Sequence, residues 1–136
     1  MVKGKGQSTV EFALALPILF IIIIGIAEFS LSLYNYLVMT REATNAARIA
    51  GVLDKTDSEI INLINKRYNS LIDTYFLSSK IEHPETGEEG VIKITRTDKM
   101  VKIGFNYHVY VDLFGYTIIE FVKPVVSSMY LEERIL

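Results

Sequence analysis

The hydrophobic pattern of this chain changes character three times. Residues 12–27 hold no charge and run almost without interruption through Phe, Ala, Leu and Ile, with Val10 extending the apolar stretch back past Glu11. From Val10 to Ala27 a helix would be about 27 Å long at 1.5 Å per residue, just short of the roughly 30 Å hydrocarbon core of a bilayer. Phe29, Leu31, Leu33, Tyr34 and Tyr36 supply further apolar surface and an interfacial aromatic pair. The pattern predicts one membrane-spanning helix. Pro17 removes a hydrogen bond to the carbonyl of Ala13, so a bend is expected there. Gly25 is the one small break after the Ile21 to Ile24 run, and would permit close approach of another helix.

The helical period then continues outward. Met39, Ala43, Ala46, Ala50 and Leu53 recur at steps of 4, 3, 4 and 3, one continuous face. Its small residues let something pack close to the backbone, either a partner subunit or the protein's own sheet, and the sheet is the favoured occupant. Arg41, Glu42, Asn45 and Arg48 form a polar face that is either solvated or part of a subunit contact. Gly51 with Asp54 and Lys55 predicts a loop. Thr56, Asp57, Ser58 and Glu59 read as a capping box opening a second helix that runs to about Phe76. Its apolar stripe is Ile60, Ile64, Leu71 and Tyr75, flanked by Ile61, Tyr68 and Ile72.

Beyond Ser78 the period becomes two. Val101, Ile103, Phe105, Tyr107, Val109, Val111 and Leu113 alternate with Lys102, Gly104, Asn106, His108, Tyr110 and Asp112, a strand with one buried face. A shorter strand is predicted over 91–97, with Asp98 and Lys99 as a hairpin turn. Phe114 and Gly115 interrupt the pattern before a strand over 117–122. Lys123 and Pro124 separate that from a last strand over 125–131, where proline suits a strand start or edge. The expected fold is α+β: a long N-terminal transmembrane and stalk helix, a second helix, and a small antiparallel β-sheet head.

Length and charge narrow the functions. The 136 residues leave room for one domain beyond the membrane segment. Net charge is −2 and no basic run interleaves with aromatics, so no nucleic-acid partner is expected. There is no cysteine, which excludes a disulfide framework, a thiolate metal site and a cysteine nucleophile. His108 lies on the polar face of the long strand and reads as an exposed or hydrogen-bonded structural histidine. His83 sits among Glu82, Glu85, Glu88 and Glu89, broken by Pro84, Gly87 and Gly90, without the ligand spacing of a calcium loop. No nucleophile elbow, phosphate loop or zinc motif is present. No catalytic, cofactor or metal residue is assigned, and the chain is not expected to be an enzyme.

Glu11 is the one charge at the mouth of the apolar run, where a lone acid costs on the order of 2.5–3.5 kcal/mol on insertion scales. Ser8 as N-cap with Glu11 three residues on would make a capping box. A headgroup position would make the acid cheap. Cleavage after Gly6 would leave Gln7 with a new α-amine, and positions i and i+4 share a helix face. The charges of that amine and Glu11, within one chain or between neighbours, would then offset much of each other's desolvation. Lys3 and Lys5 place the N-terminus in the cytoplasm by the positive-inside tendency. A cleaved secretory signal ending near Gly25 and Ala27 is the competing reading, opposed by the long apolar run and the unbroken helical pattern after it.

A short basic leader ending in glycine, then Gly6-Gln7-Ser8-Thr9-Val10-Glu11-Phe12 and an apolar helix, resembles the processing site of type IV pilins. Closure of the helix in Glu28-Phe29, followed by Tyr34-Asn35-Tyr36 and Thr44-Asn45-Ala46-Ala47-Arg48-Ile49-Ala50, is similar to the TadE-like pilins and pseudopilins of tight-adherence pilus systems. The resemblance covers roughly residues 6–51, with a weaker echo near Val125 to Glu132; the Ile-rich core and the lack of a cysteine pair depart from it. It implies a leader over 1–6 removed by a prepilin peptidase, a transmembrane and stalk helix over 7–53, and an extracytoplasmic head over 54–136. It also implies a structural pilin or minor pilin whose partners are other pilin subunits and an assembly platform, in a homo- or hetero-oligomeric filament. Gly6 and Gln7 would form the processing site and Gln7, Glu11 and Phe12 the assembly contact, with Ala43, Ala46 and Ala50 a possible helix-packing face. The alternatives are an unprocessed single-pass membrane protein whose outer domain binds a partner, and a secreted domain beginning at Glu28.

Overall fold

The computed structural model describes residues 5–53 and 55–130. Lys3, the Lys5 side chain, Asp54, and the expected ends of the last strand and its echo at Leu131 and Glu132 lie outside the described residues.

A single helix, α1, spans Lys5–Val52 and runs on through Pro17. Three of its hydroxyls are satisfied within the helix itself. The hydroxyls of Ser30, Thr40 and Thr44 donate to the carbonyls of Ile26, Tyr36 and Thr40, four residues back, at 2.7, 2.9 and 3.0 Å. Ser8 lies inside this helix and not at its cap, so the expected Ser8–Glu11 capping box does not form. The helical backbone extends at least to Lys5, ahead of Ser8.

The second helix, α2, spans Asp57–Tyr68. The Glu59 carboxylate accepts the Thr56 backbone N–H at 3.0 Å and its hydroxyl at 3.2 Å. These bonds hold Glu59 below the usual carboxylate range. Ile60 and Ile64 are wholly buried. The helix stops eight residues short of the expected Phe76 (76 minus 68). The reason is tertiary: the backbone groups of Ile72, Tyr75 and Phe76 bond side chains of α1 instead of carbonyls one turn back.

Four antiparallel strands follow: β1 (Leu77–Glu82), β2 (Lys93–Thr97), β3 (Met100–Leu113) and β4 (Tyr116–Tyr130). The long β3 is the organiser. β1 and β2 pair end to end along one of its edges, and β4 pairs along the other. The period-two reading of β3 holds, and its helix-facing residues Val101, Ile103, Phe105 and Tyr107 are fully buried. Three details differ from expectation. β1 was not anticipated, because its sequence LSSKIE carries only two apolar residues, Leu77 and Ile81, with Ser, Ser and Lys between them. β2 begins at Lys93 and not Val91. The two strands expected over 117–122 and 125–131 are one, since Pro124 lies on an edge strand, where a missing N–H is tolerated. A bulge at Ile118 shifts register between Val111 and Asp112.

The core lies between the outer half of α1 and the sheet, with α2 closing one end. Met39, Ala43, Ala46, Ala47 and Ala50 meet Ile60, Ile64, Ile81, Ile92, Val125 and the β3 residues. Alanine on this face brings sheet and helix together; Leu53, the last residue of the expected stripe, is exposed. Enlarging the contact at its centre by Ala46→Leu should overpack it and lower head stability by about 1–3 kcal/mol, measured by chemical denaturation in detergent. An unchanged midpoint would show that the sheet yields there.

α1 and β3 run in opposite directions and share their length. Near the C-terminal end of α1, Arg96 of β2 bonds the Asp57 carboxylate and the Lys55 carbonyl at 2.8 and 2.9 Å. At the other end the Asp112 N–H donates to the Phe76 carbonyl at 2.7 Å, and Phe76 is itself bonded to Glu28. Glu28 to Val52 spans about 36 Å of helix and Val101 to Val111 about 33 Å of strand, so the two ends match.

Candidate membrane and assembly site

The N-terminal half of α1 is an apolar helix whose large apolar side chains stay exposed among the described residues. It is long and apolar enough to cross a membrane, and none of its most hydrophobic window is buried by the rest of the chain. Phe12 is 65 % exposed and Ile21 70 %. A core helix of a globular protein buries such residues. Here each would face water unless lipid or another helix covers them, at roughly 1.5–3 kcal/mol per large side chain.

Gly6, Gln7, Glu11 and Phe12 all lie on the exposed N-terminal turns of this helix. The structure joins two of them: the Gln7 side-chain amide donates to Glu11 Oε1 at 3.2 Å, one turn along the same face. Glu11 thus has a polar partner before any cleavage. Gly6 has open space around it, with no heavy atom within 4 Å of where a Cβ would stand. Ala43, Ala46 and Ala50 are far away, on the head side of the helix. They are buried under the protein's own sheet and α2.

One functional residue was missed in the sequence. Glu28 is only 6 % exposed, although it follows directly on the apolar run. Its two carboxylate oxygens accept the backbone N–H groups of Tyr75 and Phe76 at 3.0 and 3.3 Å. Two turns further, the Asn35 amide donates to the Ile72 carbonyl at 2.7 Å and accepts the Ile72 N–H at 3.3 Å. These bonds tie the segment between α2 and β1 to the stalk where it leaves the apolar region. The signal was in the spacing. Glu28, Ser32 and Asn35 continue the face of Met39, Ala43, Ala46 and Ala50 at steps of 4, 3 and 4, and all are buried.

The outer face of the sheet carries an ionic network. His108 is buried between carboxylates, its Nδ1 2.7 Å from Glu120 and its Nε2 3.0 Å from Glu82, the latter distance lying off the ring N–H direction. Lys80 bridges Glu89 and Glu82 at 2.7 and 3.2 Å and sits 5.0 Å from the centre of the Tyr110 ring. Hydrogen bonds to Glu89 and then Glu82 raise the Lys80 ammonium above its usual range, and Lys80 in turn lowers Glu89. His83 is part of a turn, its Nδ1 accepting the N–H groups of Glu85 and Thr86 at 3.1 Å each. These contacts link Lys80, Glu82, His108 and Glu120 across strands β1, β3 and β4.

An unburied, membrane-length helix that continues as the stalk of an α+β head defines a pilin-like, membrane-anchored architecture. The model of the TadE-like protein family matches residues 6–48, about a third of the chain, so this stretch is similar to that family. The match takes in Gly6, the Gln7–Glu11 pair, the apolar run, Glu28, Asn35 and most of the alanine face, and stops before α2 and the sheet. No curated protein matches the chain. No solved structure matches it either.

Proposed function

We propose that this protein is a structural pilin or minor pilin (pseudopilin) subunit. It waits in the cytoplasmic membrane with its N-terminus inside and its head outside. A prepilin peptidase cuts between Gly6 and Gln7, and the subunit then enters or primes an extracellular Tad filament through its apolar helix. Removing Lys3 and Lys5 changes the side-chain net charge from −2 to −4. The carrying observation is the apolar helix, unburied over its whole N-terminal window, with the Gln7–Glu11 contact at its end. In a filament neighbouring helices would cover that surface. Glu11 would exchange the Gln7 amide for an α-amine, its own or a neighbour's, and the attraction of opposite charges in an apolar bundle would set axial register.

Glu11→Ala should leave the chain in the membrane and reduce its recovery in sheared filaments by about tenfold or more, the loss of roughly 1.4 kcal/mol per contact. Incorporation at the wild-type level would refute the role of Glu11. Intact mass separates the readings independently. Gln7 as the first residue supports processing, whereas Met1 or Val2 indicates an unprocessed single-pass protein whose head binds a partner. A chain beginning at Glu28 indicates a secreted domain.

A further inference from the structure

The β3–β4 hairpin ends in a turn that water alone does not justify. Phe114 and Gly115 both adopt positive φ, 53° and 82°. Both central residues of a tight hairpin turn do so where the strands twist normally, and Asn, Asp or Gly usually fills the first position. Phenylalanine there carries roughly 1–2 kcal/mol of left-handed strain. Its ring is also 98 % exposed. Tyr116, Ile118 and Ile119 beside it are exposed as well. Residues 113–119 contain no charge. The charges bounding them are already engaged: Asp112 accepts the hydroxyls of Ser78 and Thr117, and Glu120 pairs with His108.

The location of this tip decides its partner. β3 descends along α1, so the hairpin points toward the end of the stalk that emerges from the apolar run. Val111 and Phe121 already line a groove of about 580 Å³ shared with Gly25, Phe29 and Leu33. The three to four residues from Val111 to the turn carry it about 10–13 Å further along the strand direction. That carries an uncharged loop with a Phe and a Tyr past the level where α1 enters a bilayer, to the boundary between headgroups and acyl chains. Aromatic side chains concentrate in that layer, and apolar groups dipping about 5–10 Å below the headgroups are held there by burial.

We propose that the tip of the β3–β4 hairpin, residues 113–119, is a second membrane contact: it inserts at the boundary of headgroups and acyl chains in the leaflet from which α1 emerges. The occupant is lipid. The hairpin sits beside the spanning helix on the same molecule, so its apolar surface continues the one that lipid covers. The head is thereby held at a fixed height and rotation about α1 before assembly, and its extraction from the membrane has to break both contacts. The proposal rests on α1 spanning the bilayer.

The absence of cysteine makes the test clean. Single cysteines are introduced as Phe114→Cys, Tyr116→Cys, Gly87→Cys in the far loop and Ile18→Cys in the span. The full chain, labelled with an environment-sensitive fluorophore, is reconstituted in phosphatidylcholine vesicles at no more than one chain per vesicle. Shallow-doxyl lipid should quench the probes at 114 and 116 at least about twofold more than the probe at 87, and aqueous iodide should show the reverse order. Equal iodide quenching at 114, 116 and 87, with Ile18 quenched by deep-doxyl lipid, would overturn the hairpin contact while leaving the span intact. Shielding from iodide without quenching by doxyl lipid would overturn it too, because protein would then cover the tip. An Ile18 probe not quenched by lipid would overturn the span and the proposal together.

Discussion

Gly6→Ala is expected to leave the chain folded, membrane-bound and uncleaved. The substitution meets open space: beyond the helix's own neighbouring backbone, no described atom lies within 4 Å of the added methyl group. Alanine in place of glycine also favours the helix by about 1 kcal/mol. Any effect therefore reports on recognition of the site by the peptidase and not on damage to the protein. Cleavage should fall at least about a hundredfold, as expected when a methyl group excludes the substrate from a tight pocket and costs near 3 kcal/mol of transition-state binding. Intact mass on extracted membranes would show the leader retained with Lys3 and Lys5. Unimpaired release of a chain beginning at Gln7 would sink the assignment of the processing site.

Glu28→Ala should produce a large loss of stability for a polar substitution on the stalk. Each hydrogen bond to a charged group contributes about 1.5–3 kcal/mol, and one buried carboxylate makes two of them, to Tyr75 and Phe76. The loss should be about 2–4 kcal/mol, because the freed N–H groups regain some water in an exposed loop. Glu28→Gln retains one acceptor and should lose about half as much. Denaturation of the head in detergent measures both, and amide exchange at Tyr75 and Phe76 should accelerate in step. A loss under about 1 kcal/mol for the alanine variant would mean that Asn35 and the Phe76–Asp112 bond hold the segment without it.

The two predictions address parts of the chain that were unequally legible in sequence. The long apolar helix and the core strand are contiguous or periodic patterns. Each is decided by solvent: lipid demands an unbroken apolar helix, and a half-buried strand demands alternation. The end of α2 was not legible. Its apolar stripe continues through Leu71 and Ile72 toward Tyr75, and only Glu28 and Asn35, 37 to 48 residues away in the chain, take the backbone bonds that would have prolonged it. β1 was missed for a related reason. Its residues Ser78, Ser79 and Lys80 have little strand character alone, and pairing with Tyr110, Val109 and His108 of β3 makes the strand.

By itself, then, the sequence determined a membrane helix, a glycine before a Gln-Glu turn, a stalk face of small residues and one long alternating strand, because each depends on neighbours within a few turns or residues. Tertiary structure alone decided what those features meet. It buried the alanine face under the protein's own sheet and turned Glu28 from an acid at the membrane edge into a clamp on a distant loop. It also brought β3 down the stalk, so that the strands leading to an uncharged hairpin lie beside Gly25 and Phe29 at the end of the apolar run. The physical reason is common to all three. A side chain's partner across the fold is set by the antiparallel run of α1 and β3, which no local pattern contains.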